Sequence, residues 1–259
     1  MSTILKTILA VAAALTGLLA LPDTSQAGSD STARSRTAHH NFAATARSGR
    51  HNEGNRHESS ASQWRSKSSG DWAAAHFRWM ESIPLGANPL TDTTGVNCAI
   101  NQDGPVWFLS FLPTPTWTLN CTVPYGKAIL SPVLAGANTY PCPKDPANPG
   151  APPFEPPAGQ SFETFLTNGI TSSIDEYSGE ARLNGRPLKV KRVTTPLFGY
   201  TAAADLVAFD PCATGSPQLA VVDGYFVFIE PLPRGDHVLQ ITSGGPGFAS
   251  VGTFNLKVR

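Results

Sequence analysis

The four cysteines of this chain, which all lie between residues 98 and 212, constrain its fold more than any other feature. An even cysteine count in an exported chain favours disulfides over metal ligation or thiol catalysis, and residues 1–27 have the pattern of an export signal. Four cysteines allow three pairings. Because sequential pairing closes the shorter loops, we predict Cys98–Cys121 and Cys142–Cys212, which on the chain-entropy model contribute about 3 and about 4 kcal/mol.

Residues 1–27 have the pattern of a secretory signal peptide. Lys6 is the only charged residue before Asp23, the run from Ile8 to Leu21 is almost wholly apolar, and Ser25-Gln26-Ala27 offers small residues to a signal peptidase. The apolar run is shorter than the about 20 residues that span a bilayer. We therefore expect a secreted or periplasmic protein with no transmembrane segment in the mature chain. The alternative is that this segment is retained as an N-terminal anchor.

Residues 28–70 are rich in Ser, Ala, Arg, His, Asn and Gly and are predicted to be disordered. Their net charge is +4, whereas residues 71–259 carry −4. A basic tail can contact anionic envelope polymers or nucleic acid; the alternative is a solvated linker or pro-segment, and no specific nucleic-acid partner is predicted. The tail holds four of the six histidines, whose spacing fits no zinc pattern, so neither a metal nor a cofactor is predicted. These histidines are His39, His40, His51 and His57.

Residues 71–259 are long enough for a single disulfide-stabilised domain with a sizeable core. Short extended runs, separated by Pro and Gly, indicate a mainly β protein. The predicted strands are 106–109, 117–123, 127–134, 181–183, 187–193, 218–222, 225–229, 237–242 and 249–258. Many short strands with regular turns favour a β-sandwich, immunoglobulin-like or jelly-roll-like.

Two turn dipeptides and two helix starts refine this prediction. Asn184-Gly185 suits a type I′ hairpin turn, and Asp223-Gly224 is predicted to form a second one. Asp71 is predicted to cap a short helix that runs through Met80, and Ser161 to cap a second helix in which apolar residues recur at helical spacing. The expected fold is thus a sandwich with two short helices.

Several motifs in this domain stand out together. They are Trp79-Met80-Glu81-Ser82-Ile83-Pro84, Asn88-Pro89, Asp92-Thr93-Thr94-Gly95 with Cys98, the run from Gln102 to Leu109, the run from Cys121 to Ala128 with Pro132-Val133, Asp223-Gly224-Tyr225, and the run from Pro231 to His237. Across roughly residues 72–258 they resemble a family of secreted bacterial proteins. The resemblance implies an exported, self-contained bacterial domain. It brings no catalytic residues, because no activity is assigned to that family.

The sequence contains few of the motifs that mark known catalytic sites. The sequence has no G-x-S-x-G, no H-E-x-x-H and no phosphate-binding loop. In the domain only His76 and His237 could act as imidazole bases, and His76 shares a predicted helix face with large apolar residues, which favours a core role. Glycoside hydrolysis requires two facing carboxyl groups, and the sequence does not indicate which two meet.

Candidate binding residues lie beside turns, where loops gather at one end of a sandwich. Trp117 and Tyr125 follow prolines, so we expect them to be exposed in loops and able to stack on sugar rings. The alternative is that the whole set caps turns and holds the fold. The candidates are Asp92, Gln102, Asp103, Trp117, Tyr125, Lys127, Asp236 and His237.

Two classes of function remain open at this point. The first is a secreted β-sandwich protein that binds a glycan or another cell-envelope component. The second is an extracellular hydrolase or lyase that acts on a polymer through a carboxylate with His237 or Lys127. The first is preferred because catalytic motifs are sparse.

Overall fold

The structure is a computed structural model that describes residues 64–143 and 154–259. The predicted signal peptide and the four tail histidines lie outside the described residues. Residues 64–70 are described and belong to the domain, since the Trp72 indole donates a hydrogen bond to the Trp64 carbonyl oxygen at 2.6 Å. The folded domain therefore includes residues before Asp71.

Ten strands form two five-stranded sheets in the described part of the chain, which confirms the predicted sandwich. The first sheet contains β1 (Val106–Phe108), β3 (Ala128–Tyr140), β6 (Lys191–Thr194), β7 (Phe198–Thr201) and β8 (Pro217–Ile229). The second contains β2 (Thr116–Val123), β4 (Ser178–Leu183), β5 (Arg186–Pro187), β9 (Gly235–Gly245) and β10 (Phe248–Val258).

The order of strands in the first sheet is β1-β3-β8-β6, and β7 also pairs with β8. Strands β6 and β7 thus occupy successive parts of one side of the long strand β8. The second sheet has the order β2-β10-β9-β4-β5. Pairing is antiparallel except for β1 with β3 and β2 with β10. The segment predicted as one strand over 187–193 is divided, because β5 belongs to the second sheet and β6 to the first.

The two predicted hairpin turns have different outcomes. Asn184 and Gly185 have φ of 50° and 78° and join β4 to β5, as predicted. The turn at Asp223-Gly224 is wrong, because both residues lie inside β8 and pair with Gly136 and Ala135 of β3. Gly224 is required there by close strand approach, since a Cβ atom would stand 2.5 Å from the Ala135 Cα atom.

Both predicted helices are present. Helix α1 spans Ser69–Glu81, and its N-cap is Ser68 rather than the predicted Asp71, which lies at the third helical position and completes a capping box. Helix α2 spans Phe162–Ile174 and is capped by Ser161 as predicted, through a hydrogen bond from the Thr164 amide at 3.2 Å.

The first sheet is the middle layer of the domain. Its inner face packs partly on the second sheet and, further along β3 and β8, on α2. Its outer face is covered by α1 and by residues 202–213, which include a 3-10 helix at Ala204–Ala208. Both predicted disulfides, Cys98–Cys121 and Cys142–Cys212, are present. Among the described residues, no helix combines the length and apolar character needed to cross a membrane.

Candidate functional site

A cavity of about 120 Å³ lies on the outer face of the first sheet, between that sheet, α1 and residues 206–210. Its wall is mainly apolar, and small residues at 135–137 of β3 leave the space open. The large apolar residues that line it are Phe77, Met80, Leu90, Phe111, Leu206, Phe209, Val222 and Phe226. Several of these, such as Phe111 and Phe209, are only half-buried, so one side of the cavity approaches solvent.

Glu81 brings a carboxyl group into this apolar wall. It is the last residue of α1 and is only 9% exposed. Its side chain makes no hydrogen bond or ion pair with any other described residue, whereas its backbone carbonyl accepts a bond from the Ala203 amide at 2.7 Å. Burial, together with the nearby charge of Asp210, raises the pKa of Glu81 to about 8. The partial negative charge of the helix C-terminus acts in the same direction, so Glu81 is neutral at pH 7.

Asp210 is the second carboxyl group of the cavity. It follows the 3-10 helix, and its Oδ1 accepts a hydrogen bond from the Cys212 amide at 2.9 Å. Burial raises the pKa of Asp210, and this amide partly opposes the shift. Cys212 is bound to Cys142, and the Gln218 side-chain amide donates to the Cys212 carbonyl at 2.7 Å. A disulfide and a buried glutamine therefore fix Asp210 at the cavity wall.

Two hydroxyl groups complete the polar part of this region. Thr139, only 4% exposed, lines the cavity, and its Oγ1 has no hydrogen-bond partner among the described residues. Tyr200 is buried on β7, and its ring packs edge-on against Phe77 with centroids 5.0 Å apart. Burial raises the pKa of Tyr200, and nearby Glu81 and Asp210 add to the shift, while the Thr139 hydroxyl partly opposes it. The two hydroxyls are neighbours without meeting hydrogen-bond geometry.

His76 also lines the cavity, but its imidazole is engaged elsewhere. Nε2 lies 2.8 Å from the Leu109 carbonyl oxygen, and because a carbonyl only accepts, Nε2 carries the proton. Burial lowers the pKa of His76 to about 4, against a smaller opposing effect of this hydrogen bond. A neutral His76 in contact with Trp79 and Phe108 fits the core role predicted for it.

Three of the sequence-based candidates, Lys127, Gln102 and Asp103, lie close together. The Lys127 Nζ donates to the Gln102 backbone carbonyl at 2.6 Å and lies 5.3 Å from the centre of the Trp107 ring. Burial lowers the pKa of Lys127, while the nearby charge of Asp103 opposes this. The buried Gln102 amide donates to the Phe108 carbonyl and accepts from its amide, at 2.7 and 3.0 Å. The hydrogen bonds of Gln102 and Lys127 connect β1 to the turn before β3.

His237 lies on β9, and both of its ring nitrogens have partners. Nε2 is 2.9 Å from the Pro233 carbonyl, which requires a proton on Nε2, and Nδ1 then accepts from the Asn184 amide at 3.1 Å. The Asn184 oxygen in turn accepts from the Val238 amide at 2.9 Å. His237 therefore connects the β4–β5 turn to the proline-rich segment before β9.

The remaining loop candidates divide between structural and exposed positions. Burial alone would raise the pKa of Asp92, but four hydrogen bonds from Thr94, Gly95 and Asn97 hold it below its ordinary value. Tyr125 is 41% exposed, and the Arg234 guanidinium stands 4.5 Å from the centre of its ring. Asp236 is exposed at the start of β9.

Trp117 corrects one sequence-based expectation. It does not lie exposed in a loop but is 8% exposed on β2, where its indole donates to Ser250 Oγ at 3.2 Å and packs edge-on against Phe254. The alternation of β2, which places every second residue in the core, points the indole inward. Trp117 is therefore not available to stack on a ligand at the surface.

The cavity residues Glu81, Asp210 and Thr139, and the neighbouring Tyr200, were not among the sequence-based candidates. Glu81 had a detectable signal, because it stands four residues after Phe77 and thus continues the apolar face of α1. Asp210 had none, since its approach to Glu81 depends on how residues 202–213 fold over the first sheet. Among the described residues, no three His, Cys, Asp or Glu side chains are grouped so that they could hold a metal ion.

Fold and site together define a disulfide-stabilised, two-sheet β-sandwich with an apolar, carboxyl-bearing cavity on the outer face of one sheet. Comparison with protein-family models, curated proteins and solved structures finds no match to this chain.

Proposed function

We propose that this protein is exported and uses the outer-face cavity to bind a small, mainly apolar molecule of the cell envelope or its surroundings. The observation that carries the proposal is that this apolar cavity is lined by the Glu81 side chain, which is 9% exposed and bonds to no other described residue, and by Thr139, whose buried Oγ1 has no hydrogen-bond partner among the described residues. Buried polar groups are almost always hydrogen-bonded. A cavity that combines both features is the kind of site that binds small molecules.

The disulfides and the signal-peptide pattern support the exported location. Disulfides persist in oxidising compartments, and the two in this domain tie the Asp210 segment to β3 and the Cys98 turn to β2. The resemblance to secreted bacterial proteins points in the same direction. Recovery of secreted protein whose N-terminus lies near Gly28 would support this part of the proposal, whereas an intact Met1 in a membrane fraction would refute it.

The cavity supports an apolar ligand better than a glycan. Glycan binding by loop aromatics needs open ring faces, but Trp117 is buried and Arg234 stands over Tyr125. The cavity instead is lined mainly by apolar side chains. Apolar cavities of about 150 Å³ hold a benzene ring, so a space of about 120 Å³ whose open side lets part of the ligand extend toward solvent suits a small ring or a short branched chain.

Native mass spectrometry of protein purified from the exported fraction tests the proposal. We expect a bound small molecule that the Ala137→Phe variant lacks, because the new ring would fill the cavity from β3. Val251→Phe is the matched control, since Val251 is half exposed on β10 and does not line the cavity. If folded Ala137→Phe retains the same molecule, or if the wild type binds no apolar probe at all, the cavity is not a binding site.

An extracellular hydrolase is a second candidate, and one observation favours it. Glu81 holds a proton up to pH about 8 beside the acidic Asp210, and a general acid must be protonated at working pH. Turnover of an ester or glycoside by the wild type, lost in both Glu81→Gln and Asp210→Asn, would support it. Turnover that survives either substitution would rule out this pair.

A further inference from the structure

Among the described residues, the cavity has two acidic groups and no cationic partner for them. Glu81 and Asp210 both line it, and no described Lys or Arg does. His76, the one basic side chain that the described part of the chain contributes to the wall, is neutral and donates to the Leu109 carbonyl. A buried carboxyl group without a counter-charge must either hold a proton or recruit a cation.

Other features of the wall also suit a cation. Glu81 lies at the C-terminus of α1, where the helix dipole favours positive charge. The rings of Phe77, Phe111, Phe209 and Phe226 line the cavity, and aromatic faces attract organic cations. Thr139 is only 4% exposed, and its Oγ1 has no hydrogen-bond partner among the described residues. This oxygen is therefore a buried acceptor that is available to a ligand.

We infer that the cavity binds a primary organic ammonium ion, whose apolar body fills the aromatic part of the cavity and whose charge is neutralised by Glu81 and Asp210. This inference rests on the proposed binding function and names its ligand class. A primary ammonium has three N–H donors, which match the Glu81 carboxylate, the free oxygen of Asp210 and the Thr139 hydroxyl. A neutral ligand would leave Glu81 protonated and give Asp210 no counter-charge, and an anionic ligand would add a like charge beside Asp210.

Binding of such an ion is coupled to proton release. Because Glu81 is neutral at pH 7, the ammonium must displace its proton to form the ion pair. Affinity should therefore rise with pH up to about 8, by at most about tenfold per pH unit for one proton. Affinity for a neutral ligand that accepts a hydrogen bond from protonated Glu81 would instead stay constant up to about pH 8 and fall above it.

Calorimetric titration with benzylamine, benzyl alcohol and benzoate tests the inference, because the three probes share a ring and differ in charge. We expect benzylamine to bind at least about tenfold more tightly than benzyl alcohol at pH 8, and to bind more weakly at pH 6 than at pH 8. Its binding should also release protons, which is measured by comparing the heat of binding in buffers of different ionisation enthalpy. Benzoate should not bind. Folded Glu81→Gln should abolish the proton release and reduce the preference for the amine.

The outcomes separate the two proposals. If benzyl alcohol or benzoate binds as well as benzylamine, and Ala137→Phe removes that binding, the cavity is a binding site but the ammonium inference is wrong. If no probe binds, both proposals fail. Proton release by the wild type is the readout that does not depend on any variant being stable, and binding of benzylamine without it would contradict the role given to Glu81.

Discussion

Arg192 of β6 and Asp223 of β8 form an ion pair between the last two strands of the first sheet, with Arg192 Nη2 2.6 Å from Asp223 Oδ2. The Asp223 carboxylate is fully buried, and its other oxygen accepts from the Thr194 hydroxyl at 3.1 Å. The same guanidinium donates from Nη1 to Asp175 at 2.5 Å and from Nη2 to the Thr171 carbonyl at 3.1 Å. One arginine thus joins β6, β8 and the C-terminal end of α2.

Arg192→Met should lower the free energy of unfolding by about 3–5 kcal/mol, because it leaves a buried carboxylate unpaired. Adding Asp223→Asn to that variant should restore part of the loss, since asparagine carries no charge. Urea denaturation measures both. Arg65→Met is the control, because it breaks an exposed ion pair with Glu230 and should cost less than about 1 kcal/mol. Equal losses in the two single variants would contradict the role of Arg192.

The pKa of Glu81 makes stability depend on pH. It is raised in the folded state to about 8 from 4.5, so between these values the folded protein holds a proton that the unfolded chain releases. Stability must therefore fall as pH rises through this range, by about 2 kcal/mol between pH 6.5 and 8. Urea denaturation across this interval should show the fall in the wild type and a smaller one in Glu81→Gln. The same slope in both would show that Glu81 ionises normally.

His76 has the opposite effect at lower pH. Its pKa falls from 6.5 to about 4 on folding, so between these values only the unfolded chain gains the proton, and stability decreases as pH falls. The full effect is on the order of 3 kcal/mol. Because Glu81 opposes it above pH 4.5, the comparison is best made between Glu81→Gln and Glu81→Gln/His76→Gln at pH 6.5 and 4.5. Between pH 6.5 and 4.5, the Glu81→Gln variant should lose more stability than the double variant, because only the former keeps His76.

Truncation at Asp71 should destabilise the domain, contrary to the disorder predicted for residues up to 70. It removes Ser68, whose side chain accepts from the Asp71 amide at 3.1 Å, and Trp64, which packs against the α1 layer. Loss of the cap alone costs about 1 kcal/mol. A chain that starts at Trp64 is the control and should melt like the full mature protein. Identical melting temperatures for the two truncations would show that residues 64–70 contribute nothing.

Gly252 of β10 should not tolerate a side chain. A Cβ atom there would overlap the indole of Trp117, which lies over the glycine in the sandwich core. We expect Gly252→Ala to cost about 1–3 kcal/mol by overpacking. Gly86→Ala is the matched control, because no atom lies within 4 Å of a Cβ at that position and its φ is not in the left-handed region. Thermal melts of both variants suffice, and equal melting temperatures would contradict the packing of Trp117.

The sequence alone determined the features that depend on neighbouring residues. The Asn184-Gly185 turn, the cap at Ser161 and the strand predicted over 249–258 follow from local backbone preferences. The cysteine pairing also followed, because loop closure favours short loops. Local preference misled where a longer-range pairing was stronger: Asp223-Gly224 favours a turn in isolation, but β3 and Arg192 hold it in the middle of a strand.

Only the tertiary structure decided the candidate site. Glu81 and Asp210 are 129 positions apart in the sequence, and they meet because residues 202–213 fold across the outer face of the first sheet and are fixed there by Cys142–Cys212. No local pattern encodes that approach. The shifted pKa values of both groups arise from burial, which is a property of the assembled layers rather than of any segment, and so the chemistry of the cavity exists only in the folded protein.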